Sequence, residues 1–371
     1  MSTTKNKEKK KLTDEELLLA ITRLGGKVTA TELSQTLDFP ARTIRYRIKR
    51  LREKRHLDRV WPQTLDAKLG LGETGVILDM SDEHRTLPRE FLFCFPNFYV
   101  NYATFGRYNG YSVAGGYPIG APQMIDRIVR AMKQMGIIKD AYIFNTLDFI
   151  SLSADLSKYS PVTGWKWDWR EWVKHSEKLI KRGEPSDLDF DTNPGTMDYD
   201  HKDIAIIAEI KMDGGDLTHK EISKRVGLSE TQVGVRIQRL KEANVLRGYL
   251  WLTEQRPQTI VLYTYLELDD PNDPVLSCFL DLPFRRELIM DSPGKYCVRL
   301  MSDTADVVNY LKGLETLRPH LRSYFVQFCV NLRVIPGGMR GFYHLHKEST
   351  GQWEMPVEEY IQDLERFLKK H

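Results

Sequence analysis

Between residues 13 and 55, apolar residues recur at helical spacing and divide the chain into three short segments. Thr13 and Glu16 form a capping box that opens the first helix, and Gly25-Gly26 ends it. A second short helix leads through a turn at Pro40 into a third, predicted over 40–55. The third helix turns three residues inward: Ile44, Ile48 and Leu51. A short helix, a tight turn and a longer basic helix predict a helix-turn-helix.

This pattern occurs again 189 residues further along the chain. Residues 17–60 align on residues 206–249 without a gap, apolar positions fall on apolar positions, and two arginines stay in register. The second copy predicts helices near 200–212, 218–226 and 229–243, with Gly214-Gly215 after the first helix and Ser229 as the N-cap of the last. Such self-similarity indicates two related units in one chain.

Each copy is followed by a similar series of strands and helices. The first series predicts a strand at 75–80, a helix near 82–93, a hairpin over 98–117, a helix near 122–135 and a strand at 141–144. The second predicts strands at 259–268, 286–291, 295–301 and 322–330, with helices near 274–281 and 304–317. The order β-α-β-β-α-β is that of a ferredoxin-like fold. The fold class is therefore expected to be α+β, with two winged helix-turn-helix domains and two βαββαβ domains.

These elements divide the chain into seven predicted segments. They are a disordered basic tail over 1–12, a helix-turn-helix domain over 13–63, an αβ domain over 64–155, a polar connector over 156–197, a second helix-turn-helix domain over 198–252, a second αβ domain over 253–336 and a C-terminal extension with a helix over 337–371.

Composition narrows the class of protein. Of 371 residues, 41% are hydrophobic and 28% charged, which is enough to bury real cores and excludes a largely disordered chain. No apolar run approaches the length of a membrane helix, and the basic N-terminal stretch has no apolar segment behind it, so we expect a cytoplasmic protein without a membrane partner. The four cysteines are far apart in sequence, which predicts reduced thiols and no metal centre or cofactor.

Positive charge is concentrated at the N-terminal end. Residues 1–60 contain 16 Lys and Arg against 8 Asp and Glu, so the remainder of the chain is mildly acidic. The helix at 40–55 holds eight basic residues against Glu53 alone. Such a concentration predicts a polyanionic partner, namely double-stranded DNA. The DNA-binding residues predicted on this helix are Arg42, Thr43, Arg45, Tyr46, Arg47, Lys49 and Arg50.

The corresponding helix of the second copy carries a net charge of only +1. Its outward positions are Thr231, Gln232, Gly234, Val235 and Gln238, and glutamine can pair with adenine. The DNA-binding residues predicted here are Ser229, Thr231, Gln232, Arg236, Gln238 and Arg239. The alternative is a copy that has become a scaffold or protein-contact module. A weaker grip on the phosphates is expected in either case.

The second copy resembles the Lrp/AsnC family of transcription regulators. The resemblance is carried by Asp198 to Ile204, Glu221 to Ser229, Arg236 to Lys241 and Val245 to Tyr249, and Pro40 to Leu51 is a more diverged match. The family pairs a helix-turn-helix with a βαββαβ effector domain, so the resemblance implies two such units in tandem. It implies a regulator in which one chain acts as a pseudo-dimer on DNA, with self-association through the αβ domains. Because the two recognition helices differ, the DNA site is expected to be asymmetric.

Two aspects of this family pattern leave alternatives open. The family's Gly-x-Tyr-Asp turn appears here without its acid, as Asn109 to Ser112 and Gly294 to Cys297, so a small-molecule effector remains unidentified. Siroheme decarboxylases are similar in domain order and use a histidine near a His-Asn-Tyr-Arg-like stretch. The matching stretches, 100–107 and 288–300, contain no histidine. We therefore expect that the chain is not an enzyme, with a siroheme decarboxylase-like tetrapyrrole enzyme as the alternative.

Three further features have structural interpretations. Trp165, Trp169 and Trp172 have the spacing of one helix face and predict that the connector docks onto an αβ domain. The Gly-rich run 115–120 lacks the Gly-Lys-Ser/Thr ending of a nucleotide-binding loop and predicts a strand-to-helix turn. His344 and His346 are expected to be surface or strand residues rather than metal ligands.

Overall fold

The computed structural model describes residues 11–160, 162–186, 188–212, 217–252, 257–334 and 343–371. The predicted basic tail lies outside these ranges up to Lys10, and so does the glycine pair 214–215. Within the described ranges, no helix is both long and apolar enough to span a bilayer.

The first three-helix unit forms as the sequence predicts. Its elements are α1 (Asp14–Leu24), α2 (Ala30–Leu37), α3 (Ala41–Glu53) and the strand β1 (Val60–Thr64). Thr13 caps α1 through the predicted capping box with Glu16, and Gly25 ends the helix with a φ of 91°. Leu17, Leu33 and Ile44 are fully buried and join the helices.

The first αβ unit follows, with one difference from prediction. Its elements are β2 (Leu71–Met80), a 3-10 helix (Arg89–Cys94), β3 (Phe98–Gly106), β4 (Gly110–Pro118), α4 (Gln123–Gln134), β5 (Ile138–Thr146) and β6 (Asp148–Leu152). The helix predicted near 82–93 is reduced to the 3-10 turn because Pro88 disfavours helical backbone in the residue before it. Gly115 and Gly116 lie in β4 and not in a turn, so only the end of the Gly-rich run connects strand to helix.

The connector is structured and packs against the second αβ unit. It contains β7 (Tyr159–Ser160), β8 (Gly164–Trp165) and α5 (Trp169–Arg182). Trp172 is almost completely buried, and its indole N–H donates to the carbonyl of Cys278 at 2.7 Å. The predicted docking is therefore confirmed. Trp165, however, lies in β8 and not on the helix face, and its ring packs edge-on against Phe284.

The second half of the chain repeats the element order of the first. It contains α6 (His201–Met212), α7 (His219–Val226), α8 (Glu230–Glu242), β9 (Leu246–Trp251), β10 (Thr259–Glu267), β11 (Arg285–Ser292), β12 (Lys295–Asp303), α9 (Thr304–Leu317) and β13 (Ser323–Val334). A 3-10 helix (Pro274–Phe279) again stands where a helix was predicted. The C-terminal extension adds β14 (His346–Lys347), β15 (Gln352–Trp353) and α10 (Val357–Leu368).

In the described residues, nine strands form one antiparallel sheet in the order β5-β2-β4-β3-β13-β10-β12-β11-β6. The two halves have the same internal order, and β3 pairs with β13 where they meet. β6 follows β5 directly in sequence and pairs with β11 at the far end, so the sheet curls until its two ends meet. One side of the curl is covered by α4, α5, α9 and α10, and the other side encloses an aromatic interior.

The strands that follow the two three-helix units pair with each other. β1 and β9 form a two-stranded antiparallel ribbon, with Val60 opposite Trp251 and Trp61 opposite Leu250. Gly26 approaches this ribbon so closely that a Cβ atom there would lie 2.8 Å from the backbone of Leu250, which explains the need for glycine. The guanidinium of Arg52 also stacks on the Trp251 ring, 4.7 Å from its centroid. The two units are thus held in a fixed relation.

Candidate DNA-binding surface and internal cavity

Helix α3 presents a basic face to solvent. Its Ile44 and Leu51 are buried against α1 and α2, and the opposite face carries exposed side chains: Arg42, Arg45, Tyr46, Lys49 and Arg50. Thr43 is half-buried near the start of the helix. The nearest carboxylate on the helix is that of Glu53, 3.9 Å from the ammonium of Lys49 at an exposed position. Five of the seven residues predicted on this helix therefore share one accessible face.

Arg47 is turned away from that face. Its Nη1 donates to Oδ1 of Asp14 at 2.7 Å, and Lys54 contacts the other carboxylate oxygen at 3.2 Å. Partial burial acts to raise the pKa of Asp14, but hydrogen bonds and charge from Lys54 and Arg47 outweigh it and lower that pKa overall. Arg47 therefore fastens α3 to α1.

Several of the residues predicted on α8 form hydrogen bonds within the helix. Ser229 caps α8, as predicted, and its partner in the capping box is Gln232, whose Oε1 accepts from the Ser229 backbone N–H at 2.9 Å. Gln238 donates to Glu242 one turn later at 3.0 Å. Thr231 is exposed near the start of the helix. The two glutamines thus stabilise α8 in the absence of DNA.

Arg236 and Arg239 both reach the fully buried Asp203 on α6. Arg236 contacts Asp203 and Asp200, each at 2.8 Å, and Arg239 contacts the second oxygen of Asp203. The repeats share two arginines, at Arg47/Arg236 and at Arg50/Arg239. Arg47, Arg236 and Arg239 make intramolecular ion pairs, whereas Arg50 is exposed. The acids in these pairs, Asp14 and Asp203, are themselves 189 residues apart, so the repeat already contained the signal for the pairing.

A cavity of about 570 Å³ lies between the β1–β9 ribbon and the inner face of the curled sheet. Its roof includes Arg59, Trp61 and Trp251 from the ribbon region. Its walls are largely aromatic and include the side chains Tyr99, Tyr102, Phe144, Tyr263 and Tyr265. A space of this size suits a small organic ligand.

Three largely buried charges form the polar end of this cavity. Glu287 lies between Arg285 and Arg299, with an N–O distance of 2.7 Å to each. Burial acts to raise the pKa of Glu287, but the two guanidinium groups outweigh it and lower that pKa to about 2. Arg299 also donates to the hydroxyl of Tyr102 at 3.2 Å. The cluster keeps one positive charge in excess.

A second set of polar side chains, among them Glu73, Tyr99 and Lys211, also lines the cavity. Tyr99 donates to Glu73, whose pKa is raised, chiefly by burial. Nearby, the ammonium of Lys211 on α6 pairs with the buried carboxylate of Asp66 at 2.9 Å, and Tyr343 donates to the same oxygen at 2.6 Å. A residue of the second helix-turn-helix unit therefore reaches the wall of the cavity.

These cavity residues were not among the predicted site residues. Glu287 and Arg299 lie inside predicted strands and Arg285 directly precedes one, and the alternation of Arg285 and Glu287 places both on one face of β11. That alternation was the available signal, because charged side chains on an inward face need partners.

His344 and His346 of the C-terminal extension occupy different environments, and His344 is exposed. His346 lies in β14 and is buried, and its Nδ1 is 3.0 Å from Nδ1 of His201 at the start of α6. In the part of the chain that the structure describes, no group of three or more His, Cys, Asp and Glu side chains is arranged to hold a metal ion.

Comparison with known proteins gives a family model for part of the chain and solved structures similar over almost all of it. Residues 199–247 match the winged helix-turn-helix DNA-binding family model. The whole fold is similar to the crystal structure of the siroheme decarboxylase NirDL, with a TM-score of 0.50 and 13% identity, covering 96% of this chain and 99% of that one.

Two further structures share the architecture less closely. A complex of NirDL with an iron-uroporphyrin III analogue gives a TM-score of 0.48 at 15% identity and covers 96% of this chain and 98% of that one. AsnC of E. coli gives a TM-score of 0.27 at 15% identity and covers 36% of this chain and 94% of that chain. No curated protein is significantly similar in sequence.

The prediction that the chain is not an enzyme is wrong. It depended on the absence of histidine at 100–107 and 288–300. The same fold, over 96% of this chain, occurs in a siroheme decarboxylase. The shared fold is therefore one that occurs in an enzyme, and the internal cavity of this chain is large enough for a small organic ligand.

Proposed function

We propose that the chain is a sequence-specific DNA-binding transcription regulator of the Lrp/AsnC type that acts in the cytoplasm as a single-chain pseudo-dimer. The observation that carries this proposal is the accessible basic face of α3, on which Arg42, Arg45, Lys49 and Arg50 stand together. Without an anionic partner, these like charges repel one another and weaken the helix. A duplex in contact with the face removes that cost and gains affinity from counterion release.

The second unit completes the interface on this proposal. Residues 199–247 form a winged helix-turn-helix DNA-binding domain, and the ribbon of β1 and β9 holds α8 in a fixed relation to α3. Tandem duplication of one ancestral unit accounts for the offset of 189 residues and for the equal strand order of the two sheet halves. Further self-association would use the αβ domains.

The two halves of the DNA site are expected to differ. α3 offers exposed cations, whereas the arginines of α8 are held by Asp200 and Asp203. The first unit should therefore supply most of the affinity, and the site should be asymmetric rather than a true palindrome.

Binding to duplex DNA tests the proposal directly. A fluorescent duplex of mixed sequence is titrated with the full chain at salt concentrations between about 50 and 200 mM. We expect binding at low salt and a steep loss of affinity as salt rises, because each phosphate contact adds about one unit to the logarithmic salt slope. No binding at the lowest salt would overturn the proposal.

A tetrapyrrole-binding or decarboxylating activity is the second candidate. Two observations favour it: the fold shared with a siroheme decarboxylase, and an aromatic cavity whose Arg285 and Arg299 have excess charge over Glu287. The Nε atoms of both arginines are buried without an acceptor among the described residues, as expected of a site that takes a carboxylate. A small-molecule effector of the regulator would occupy the same cavity.

Siroheme itself is the probe for this second function. Titration of the full chain should shift the Soret band of bound siroheme, and mass spectrometry would reveal loss of carbon dioxide from its side chains. Arg299→Gln should abolish the shift, whereas Arg366→Gln, at an exposed position on α10, should not. A Soret band unchanged by the wild-type chain would exclude this candidate and leave the DNA-binding proposal intact.

A further inference from the structure

Each proposed recognition helix carries one large apolar side chain in open solvent at the same position. In α3 it is Tyr46, 60% exposed, and in α8 it is Val235, 66% exposed. The two residues are separated by 189 positions, the same offset that relates Arg47 to Arg236. One exposed apolar residue is ordinary on a protein surface. Two at matched positions of matched helices indicate a shared role.

Both residues lie on the side of the helix away from the core. Tyr46 follows the buried Ile44 by two residues, and Val235 follows the buried Val233 by two, a rotation of about 200° around the helix axis. Each is flanked by exposed polar side chains on the same surface. In α3 these are Arg42, Arg45 and Lys49, and in α8 they are Thr231 and Gln238. The apolar group therefore stands at the centre of the face that would meet a duplex.

We propose that Tyr46 and Val235 each contact the C5-methyl group of a thymine in the major groove and thereby select a T·A pair in each half of the site. The thymine methyl is the apolar feature of the major-groove edge, and contact with an apolar side chain removes both from water. Cations on the same face hold the backbone and set the depth at which these side chains enter. This inference rests on the proposed DNA-binding function.

Deoxyuridine substitution isolates the methyl group. The full chain selects bound sequences from a random duplex pool, and each thymine of the selected duplex is then replaced singly by deoxyuridine, which lacks only that methyl. We expect one replacement in each half to weaken binding by about threefold to fivefold, the effect of removing a single methyl group from an apolar interface, and the other replacements to change it little.

Side-chain variants assign the two contacts. Val235→Ala should lose the uracil sensitivity of its own thymine and keep that of the other half, and Tyr46→Ala should do the reverse. Val308→Ala is the matched control, because Val308 is 59% exposed on α9, outside the three-helix units. It should retain both sensitivities.

The outcomes separate this inference from the function on which it rests. Tight binding that no uracil replacement weakens, or uracil sensitivity that survives both alanine variants, overturns the thymine contacts and leaves DNA binding in place. If the pool yields no bound duplex at low salt, the DNA-binding proposal fails and the thymine contacts fail with it.

Discussion

Arg236 donates from Nη1 to Oδ1 of Asp203 at 2.8 Å, and the arginine 189 residues earlier makes the same contact, from Arg47 Nη1 to Asp14 Oδ1 at 2.7 Å. In both units the pair joins the third helix to the first. Arg47 and Arg236, which occupy matched positions of the internal repeat, therefore hold each three-helix unit together.

The two ion pairs should contribute differently to the free energy of unfolding. The Asp203 side chain is completely buried, whereas that of Asp14 is 39% exposed. Asp203→Ala leaves Arg239 without a carboxylate and Arg236 with Asp200 alone, and it should lower the free energy of unfolding by about 1.5–3 kcal/mol. Asp14→Ala should lower it by about 1 kcal/mol or less, because water screens the exposed pair. Urea denaturation measures both, and equal losses would contradict the difference in burial.

Charge on α3 should control the salt dependence of DNA binding. The triple variant Arg42→Ala, Arg45→Ala, Lys49→Ala should weaken binding and reduce the logarithmic salt slope by about one unit for each phosphate that is no longer neutralised. The control is an equal change of charge on α5, at the exposed Lys174, Lys178 and Lys181, which should leave the slope near the wild-type value. Fluorescence anisotropy across a salt series measures the slopes. Equal slopes for the wild type and the α3 variant would show that these α3 side chains do not contact the phosphates.

Ionisation of Glu287 should make the stability of the fold depend on pH. The pKa of Glu287 is lowered to about 2 in the folded chain from an ordinary value of 4.5. Its contribution to stability is therefore complete above pH 4.5 and is lost as the pH falls from there towards 2. Glu287→Gln should cost about 3 kcal/mol at neutral pH, because it leaves two buried guanidinium groups without a counter-charge.

Denaturation at several pH values tests this contribution. The stability difference between wild type and Glu287→Gln should shrink as the pH falls below 4.5. Glu177→Gln, at an exposed position on α5, should stay within about 0.5 kcal/mol of the wild type throughout. A difference that does not change with pH would mean that Glu287 is not held ionised by its arginines.

Local pattern was enough to predict most of the elements. The third helix, predicted over 40–55, runs from Ala41 to Glu53, because its apolar spacing and flanking turn are local signals. Two predicted helices became 3-10 turns, Arg89–Cys94 and Pro274–Phe279, where chain direction is set by proline and by packing onto the sheet. Helical spacing alone does not distinguish these outcomes.

The cavity depends on contacts between residues that are far apart in sequence. Lys211 meets Asp66 and Trp61 meets Leu250 only after the two halves of the chain have packed together. Arg236 and Arg239 of α8 were predicted to bind DNA, but in the fold both pair with Asp203 of α6. Sequence pattern predicts which faces are polar, and the fold determines which charges are already paired.

Low pH should weaken the packing of the C-terminal extension, because it disrupts the contact between His201 and His346. Their Nδ1 atoms are 3.0 Å apart, so one nitrogen must lack a proton for a hydrogen bond to form. The pKa of His346 is lowered, chiefly by burial and next by the charge of His201, while Asp200 partly offsets this. A histidine whose pKa is lowered in the folded state stabilises the fold above its ordinary pKa of 6.5, and this contribution is lost as the pH falls.

Asparagine at position 346 tests this pH dependence, because its amide places a polar atom where Nδ1 stands and does not titrate. We expect the melting temperature of the wild type to fall as the pH is lowered from about 7 to 5 and that of His346→Asn to fall less. His219→Asn, at an exposed position on α7, should follow the wild-type curve, since that side chain is not buried. Because His56 also has a lowered pKa through burial, the informative quantity is the difference between the two slopes. Equal slopes for His346→Asn and the wild type would show that His346 does not titrate in this range.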